Sequence, residues 1–205
     1  MTETIEIHDP QPLDERALAE LFTDARTVSY FTDEAVTDEQ LKQIWDLAKW
    51  TPTAANTQPL RVLFVRTDEA RERLLPHMGE GNRPKVSSAP VTAILAVDPE
   101  YYEFIPTTFP HAAALRDTFA GNPEVAAASA KISSGLQGGG FIYAVRAVGL
   151  AAGPMTGFDP AGVDAEFFGD SGWKSFLVIN IGHPADNAHF GRLPRVPEDK
   201  AVAFA

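Results

Sequence analysis

The 205-residue chain contains no cysteine. Disulfide bonds, thiolate catalysis, zinc–cysteine sites and iron–sulfur clusters are therefore excluded. A cysteine-free chain is compatible with the reducing cytoplasm, where we expect the protein to act. Long apolar runs are also absent: none approaches 18 residues, and the acidic first ten residues lack the apolar core of a signal peptide. We therefore expect neither a membrane-spanning helix nor a membrane partner.

Positive charge is scarce as well. The chain has 17 Lys and Arg residues against 28 Asp and Glu residues, for a formal net charge of −11. Such a surface repels the phosphates of nucleic acids, so we expect no nucleic-acid partner. Any phosphate that the protein binds must be held by a few local Arg or Lys residues. No G-x-G-x-x-G motif follows a predicted strand, so a Rossmann nucleotide site is not indicated.

The hydrophobic pattern predicts one α+β domain comprising residues 1–205, with helices packed around a small sheet. Apolar residues repeat at helical spacing in two long segments, 37–50 and 124–149. Shorter helices are predicted at 13–22, 68–75 and 159–168, and strands at 61–66, 89–98 and 173–182. Residues 99–122, which contain five aromatic residues and three prolines, are predicted to form an irregular flap with one short helix.

Three successive glycines, Gly138 to Gly140, lie inside the longest predicted helix. Each costs roughly 1 kcal/mol relative to alanine, so something must offset the loss. Close approach of another helix or of a flat ligand would do so. Two alternatives stay open: tight helix–helix packing, including packing between subunits, and a kinked or interrupted helix.

A polar loop between a predicted helix and a predicted strand differs from an ordinary connection. Two prolines, Pro52 and Pro59, restrict the backbone of this loop and stiffen it. Between them lie the hydroxyl group of Thr53 and the side-chain amides of Asn56 and Gln58. A stiff loop with several hydrogen-bonding side chains is typical of a ligand-binding loop.

Three further polar clusters lie along the chain: Arg26, Thr27 and Ser29; Asn82 and Lys85; and the turn at 153–159 with the tail at 191–195. Each has an ordinary explanation when taken alone. The cations would be solvated surface charges, the turn would simply lead into a helix, and the tail would be a basic segment without a specific role.

Taken together and in order, these polar segments resemble the FMN-dependent nitroreductase family. That family has an Arg–Ser/Thr pair, a Pro-Ser/Thr-x-x-Asn-x-Gln-Pro loop, Asn-x-x-Lys before a strand, a Pro-x-x-Gly-Phe-Asp turn and an Arg-Leu-Pro tail. The matching segments are Arg26-Thr27, Pro52 to Pro59, Asn82 to Lys85, Pro154 to Asp159, and Arg192 to Pro194. The aromatic flap at 101–111 resembles that of one branch of the family, the branch that contains the malonic semialdehyde reductase of pyrimidine catabolism.

The resemblance implies a nitroreductase-like α+β fold: a small mixed, mostly antiparallel sheet flanked by helices, in a homodimer with exchanged terminal segments. It implies FMN at the subunit interface and NADH or NADPH as electron donor. Hydride would pass to flavin N5 and then to a second substrate in a ping-pong reaction that reduces malonic semialdehyde to 3-hydroxypropionate. The alternatives are a broad nitro- or quinone reductase, a non-catalytic flavin-binding module, and a structural interaction domain.

The resemblance also assigns the cofactor contacts. Arg26 and Arg192 would neutralise the FMN phosphate, and Thr27 and Ser29 would bond the phosphate or the ribityl chain. The polar loop would contact the ring edge or the ribityl chain through Pro52, Thr53, Ala54, Asn56 and Gln58.

The remaining implied contacts surround the flavin ring and the substrate. Asn82 and Lys85 would face the N1/O2 edge, where reduced flavin accumulates negative charge. The turn residues near N5 would be Pro154, Met155, Thr156 and Gly157. His111 and Arg116, with Arg83 as a further candidate, would bind the second substrate. Neither a catalytic side chain nor a metal site is predicted.

The chain departs from the family pattern around the predicted phosphate. The family often carries another cation beside its C-terminal Arg, but here Phe190 and Gly191 occupy that neighbourhood, with His189 as a possible substitute. Ala25 and Ser29 also stand where many relatives have basic residues. We therefore expect weaker phosphate binding, or easier loss of FMN, than is usual in the family.

Overall fold

The fold is organised around a four-stranded sheet in which every pairing is antiparallel. This computed structural model describes residues 9–186 and 188–205. The strands are β1 (Leu60–Val65), β2 (Val91–Val97), β3 (Ala151–Met155) and β4 (Lys174–Gly182). Their spatial order is β1-β2-β4-β3, so β1 and β3 form the two edges. The α+β prediction is confirmed.

Strand β3 was not predicted, because its segment contains Gly153 and Pro154 and was interpreted as part of a turn. Proline cannot donate to a strand ladder and is found mainly at sheet edges. In the structure Pro154 lies opposite Ile179 of β4, its only neighbouring strand. An edge position thus accommodates a residue that argues against a central strand.

Nine α-helices surround the sheet in the described residues. They are α1 (Glu15–Leu18), α2 (Asp38–Ala48), α3 (Asp68–Leu74), α4 (Arg83–Ser88), α5 (Ile105–Thr108), α6 (Leu115–Gly121), α7 (Pro123–Ala147), α8 (Pro160–Phe167) and α9 (Glu198–Ala201). The predicted helix at 13–22 is α1 followed by a π-helical turn at Ala19–Thr23. Helix α4 was not predicted, and the flap at 99–122 is more helical than expected, since it contains α5, α6 and two 3₁₀ turns.

The helices cover both faces of the sheet. On β2, Ala93 and Leu95 join a core formed with α2 and α7, whereas Ile94 and Ala96 join a core formed with α3, α4 and α8. Successive side chains of a strand point to opposite faces, so β2 is apolar on both faces except at Thr92, whose hydroxyl donates to Asn180 Oδ1 at 2.8 Å.

Helix α2 begins at a capping box, as its sequence predicts. The Thr37 hydroxyl accepts a hydrogen bond from the Gln40 amide, and the Gln40 side chain accepts one from the Thr37 amide. Leu41, Ile44 and Ala48 recur along one side of the helix and are buried. This helix brings the chain to the polar loop at 52–59.

Helix α7 continues through the three glycines, so the interrupted-helix alternative is wrong. A Cβ atom at Gly138 would lie 3.4 Å from the Phe176 ring, and one at Gly140 would lie 1.9 Å from Thr51 Oγ1. Close packing against Thr51 therefore accounts for Gly140, whereas a Cβ atom at Gly138 would make only an ordinary van der Waals contact. A Cβ atom at Gly139 would meet nothing within 4 Å in the described structure.

None of the helices in the described part of the chain combines the length and the apolar character that crossing a membrane would require.

Candidate functional site

Asn82, Lys85 and Gly157 form one hydrogen-bonded group. Asn82 Nδ2 donates to the Gly157 carbonyl at 2.9 Å, and Lys85 Nζ donates to Asn82 Oδ1 at 3.1 Å. The Gly79 amide donates to the same Gly157 carbonyl at 2.9 Å. Asn82 and Lys85 lie at the start of α4 and are half-buried, while Thr156 and Gly157 are exposed just beyond β3. Asn82 thus ties the turn after β3 to α4 and orients the Lys85 ammonium group.

Gly157 packs closely against the Asn82 side chain. A Cβ atom at this position would lie 2.8 Å from Asn82 Nδ2. The resemblance places this glycine in the turn near flavin N5. The structure shows that any side chain here would first displace Asn82.

The segment with Arg26, Thr27 and Ser29 runs beside the outer edge of β3. The Val28 amide donates to the Ala152 carbonyl at 3.2 Å, and a Cβ atom at Gly153 would lie 2.4 Å from the Val28 carbonyl oxygen. The five residues of β3 span about 13 Å, at roughly 3.3 Å per step. The edge of β3 therefore links the Arg26 segment to the turn at Thr156 and Gly157.

The two arginines predicted to meet at a phosphate lie together. Arg26 Nη1 donates to the carbonyls of Thr23 at 3.2 Å and Ala25 at 3.0 Å. Arg192 Nη2 donates to the same two carbonyls, at 3.3 Å for Ala25. Thr27 lines, with both arginines, a cavity of about 430 Å³. The tail and the Arg26 segment are therefore joined at one cationic site.

Two further arginines, Arg146 and Arg195, line the same cavity. Sequence reasoning did not assign either of them to this cavity. Arg146 lies in the long predicted helix at 124–149, and Arg195 belongs to the tail at 191–195, which by itself has no specific role. Their convergence depends on how α7, the N-terminal segment and the C-terminal tail pack together, for which the sequence contains no short-range signal.

The polar loop at 52–59 is held in a conformation that ordinary residues rarely adopt. Ala55, Asn56 and Gln58 have φ angles of 48°, 49° and 48°. Non-glycine residues in this region cost of order 1–3 kcal/mol each and are concentrated at functional sites. Thr53 Oγ1 accepts from the Gln58 amide at 3.2 Å, and Asn56 Nδ2 donates to the Thr108 carbonyl at 2.8 Å. The predicted stiffness therefore comes from a locked backbone as well as from the prolines.

This loop does not meet the other predicted cofactor residues within one chain. It leads directly into β1, at the sheet edge opposite β3. Three strand spacings separate the two edges, which amounts to about 14 Å. The sequence-predicted residues thus fall into two groups, one along the β3 edge and one before β1.

The predicted substrate residues lie in the flap, on the side of the polar loop. The edge of the His111 ring approaches Phe109, with the ring centroids 6.0 Å apart. Arg116 pairs with Glu103 at 2.6 Å and with Asp117 at 2.9 Å. Hydrogen bonds to Asp117 and Glu103 raise the pKa of the Arg116 guanidinium above its usual value. Arg116 therefore already has two carboxylate partners.

Comparison with known proteins adds a family and a set of relatives. The sequence model of the nitroreductase family matches residues 23–183. A Streptomyces coelicolor protein whose assigned name is NADH dehydrogenase/NAD(P)H nitroreductase is 56% identical over 187 residues, covering 91% of this chain and 93% of that protein. A Leptothrix cholodnii protein with the same name is 48% identical over 191 residues, covering 93% and 97%.

Solved structures share the fold at low sequence identity. A nitroreductase from Exiguobacterium sibiricum, described as a complex with FMN, superposes with a TM-score of 0.82 at 18% identity and covers 95% of this chain and 99% of that one. An enone reductase of gut-bacterial fatty acid saturation has a TM-score of 0.80 at 19% identity, covering 94% and 99%. At these identities the likeness concerns the fold alone.

Proposed function

The chain belongs to the nitroreductase family, and from that premise we propose that it is an FMN-dependent NAD(P)H oxidoreductase. The observation that carries this proposal is the arrangement of cations along the β3 edge. A pair of arginines lies beside it, and a lysine oriented by an asparagine lies at its end. The names of the relatives and the FMN complex of a structural neighbour support the same cofactors. A cytoplasmic location, where NAD(P)H is available, is part of the proposal.

The residues along the β3 edge fit FMN by their chemistry. A phosphate needs guanidinium and hydroxyl donors, which Arg26, Arg192 and Thr27 would provide. The N1/O2 edge of reduced flavin carries negative charge, which the Lys85 ammonium group, held by Asn82, would stabilise. Bound FMN supplies two-electron exchange between a nicotinamide donor and an acceptor. The protein would bind and orient the two substrates without a nucleophile of its own.

The two groups of predicted residues lead us to include a homodimer in the proposal. FMN along the β3 edge of one chain would meet the polar loop of a second chain, because the loop of the same chain lies at the opposite sheet edge. Thr53, Asn56 and Gln58 would then close the site from the other subunit, together with Pro52 and Ala54.

Exposed apolar side chains support such an association. On α7, Val125, Ile132, Leu136 and Tyr143 are exposed, and Ile132 is 68% exposed. The C-terminal tail exposes Phe190, Leu193, Val196, Val202 and Phe204, the last at 92%. The four positions on α7 recur at helical spacing along one side, and large exposed apolar patches are typical of interaction sites. We propose that α7 lies at the subunit interface and that the tail packs on the partner subunit.

The identity of the electron acceptor is the most specific part of the proposal. Reduction of malonic semialdehyde to 3-hydroxypropionate would need a cation for the substrate carboxylate, with His111 and Arg116 as the candidates. A broad nitro- or quinone reductase is supported at least as well, because the relatives described above bear nitroreductase names. The two carboxylates that pair with Arg116 also leave its charge less available to an anionic substrate.

An absorption spectrum tests the proposal. The purified protein is mixed with FMN, excess flavin is removed, and NADH or NADPH is added without oxygen. We expect a retained flavin spectrum that bleaches on reduction, after which malonic semialdehyde, a nitroaromatic compound and a quinone are compared as acceptors. Bound flavin that does not bleach would favour a non-catalytic flavin module. Failure to retain flavin would refute the proposal.

A further inference from the structure

The arginines of this acidic chain differ in whether they form ion pairs with carboxylates. Of eleven arginines, six form ion pairs with carboxylates. These six are Arg16, Arg61, Arg66, Arg71, Arg73 and Arg116. Four of the other five, Arg26, Arg146, Arg192 and Arg195, line the single cavity of about 430 Å³ described above. None of the four pairs with a carboxylate within residues 9–186 and 188–205.

Collecting four cations in one cavity is unfavourable unless an anion is bound there. The chain has a net charge of −11, so carboxylates are plentiful elsewhere on its surface. Arg26 and Arg192 nevertheless share the carbonyls of Thr23 and Ala25 as acceptors, which holds two like charges close together. Such a local reversal of the surface charge is the electrostatic signature of an anion site.

Arg146 is held both by a hydrogen bond and by an aromatic ring. Its Nη1 donates to the Leu21 carbonyl at 2.8 Å, and its guanidinium carbon lies 5.6 Å from the centroid of the Tyr143 ring. Arg146 and Arg26 also line a second, adjacent cavity of about 470 Å³, so the two side chains are neighbours. Burial lowers the pKa of Arg146 from its usual value. The dipole at the end of α7 favours a cation here, but it would favour an exposed cation equally and does not explain the burial.

We propose that Arg146 is a ligand of the FMN phosphate, assisted by Arg195, and takes the place of the cation that Phe190 and Gly191 do not supply. The inference rests on the proposed function, since it concerns the same cofactor. It reverses the expectation of weak phosphate binding that follows from the sequence around Phe190. The position before Arg192 carries no charge here, and the additional charge comes from α7.

Comparison of FMN with riboflavin tests the proposal, because riboflavin lacks the phosphate. The variant Arg146→Gln is compared with Arg73→Gln, which removes an arginine that pairs with Glu166 far from the cavity. A charge-assisted bond to phosphate predicts that R146Q weakens FMN binding roughly 10- to 100-fold. Riboflavin affinity should stay unchanged in both variants, and R73Q should bind FMN normally. Equal FMN affinity in R146Q and wild type would overturn the inference.

Arg146 also holds the Leu21 carbonyl, so a purely positioning effect through Arg26 must be separated from direct contact. In a double-mutant cycle with Arg26→Gln, a positioning role predicts that R146Q has no further effect on FMN affinity in the R26Q background. A direct contact predicts a further loss there, and no further loss would overturn the proposal. Thermal melts show whether each variant is folded. If R146Q is unstable, Arg146→Lys is the second variant: it keeps the charge and should retain more FMN affinity than R146Q.

The two proposals fail differently. If the wild-type protein binds neither flavin, the proposed function fails and the inference fails with it. If the wild type binds FMN more tightly than riboflavin and R146Q keeps the same preference, only the role of Arg146 is wrong.

Discussion

Removing the charge of Lys85 should lower the reduction potential of the bound flavin. Lys85 is half-buried, and its Nζ is held 3.1 Å from Asn82 Oδ1. In the proposed site this ammonium group stabilises the negative charge of reduced flavin more than it stabilises neutral oxidised flavin. The variant Lys85→Met keeps an unbranched side chain, shorter by one heavy atom, and removes the charge and its hydrogen bonds.

The magnitude follows from the strength of one charge-assisted hydrogen bond, about 1.5–3 kcal/mol. For a two-electron couple, about 1.4 kcal/mol corresponds to 30 mV, so the potential should fall by roughly 30–65 mV. Partial exposure of Lys85 to solvent places the expectation in the lower part of this range. Asn82→Ala, which leaves the charge but removes its anchor, should lower the potential by less.

The assay is a reductive titration of the flavin absorbance against a reference dye. Lys42→Met is the matched control, because Lys42 is an exposed lysine of α2 that pairs with Asp46. Its potential should equal that of the wild type. An unchanged potential in K85M, with FMN fully bound, would show that Lys85 does not face the flavin ring.

Two further predictions concern the polar loop and α7. Asn56→Ala should lower FMN affinity by about 10-fold, because it removes the bond to the Thr108 carbonyl at 2.8 Å and places alanine at a φ of 49°. Asn56→Gly also lacks the hydrogen bond but relieves the backbone strain. Full FMN affinity in this variant would show that the side-chain amide has no role. Gly140→Ala should destabilise the fold by about 1–3 kcal/mol in a denaturant titration, because its Cβ atom would meet Thr51. Gly139→Ala, whose Cβ atom meets nothing within 4 Å, should not lower the stability of the subunit, and an equal loss in both variants would contradict the packing described for α7.

The elements with a strong local pattern were predictable from the sequence. Helix α2 follows from its capping box and its apolar spacing, and β2 follows from a continuous apolar run. Strand β3 was missed because Pro154 is tolerated only through the edge position of that strand, which depends on the final strand order. Helix α4 was missed because it is only six residues long and shows little periodicity.

The candidate site was predictable as a set of residues but not as an arrangement. Motif order identified Arg26, Asn82, Lys85 and Arg192, which the structure brings to one sheet edge. Nothing local in the sequence shows that the polar loop lies at the other edge, because that depends on the order of β1 and β3. For the same reason Arg146, which belongs to a long helix, could not be associated with the N-terminal segment before the two were seen packed together.

The central claim is that FMN lies between the β3 edge of one chain and the polar loop of another. The most direct test uses a heterodimer purified through two different tags. One chain carries Arg26→Gln and Arg192→Gln, and the other carries Thr53→Ala and Asn56→Ala. Our account predicts one site with an intact β3 edge and an intact polar loop, and one site in which both are defective. FMN should therefore bind with wild-type affinity at one site per dimer. If the β3 edge and the polar loop of each site came from the same chain, every site would be defective. The absence of any wild-type site would therefore contradict the account.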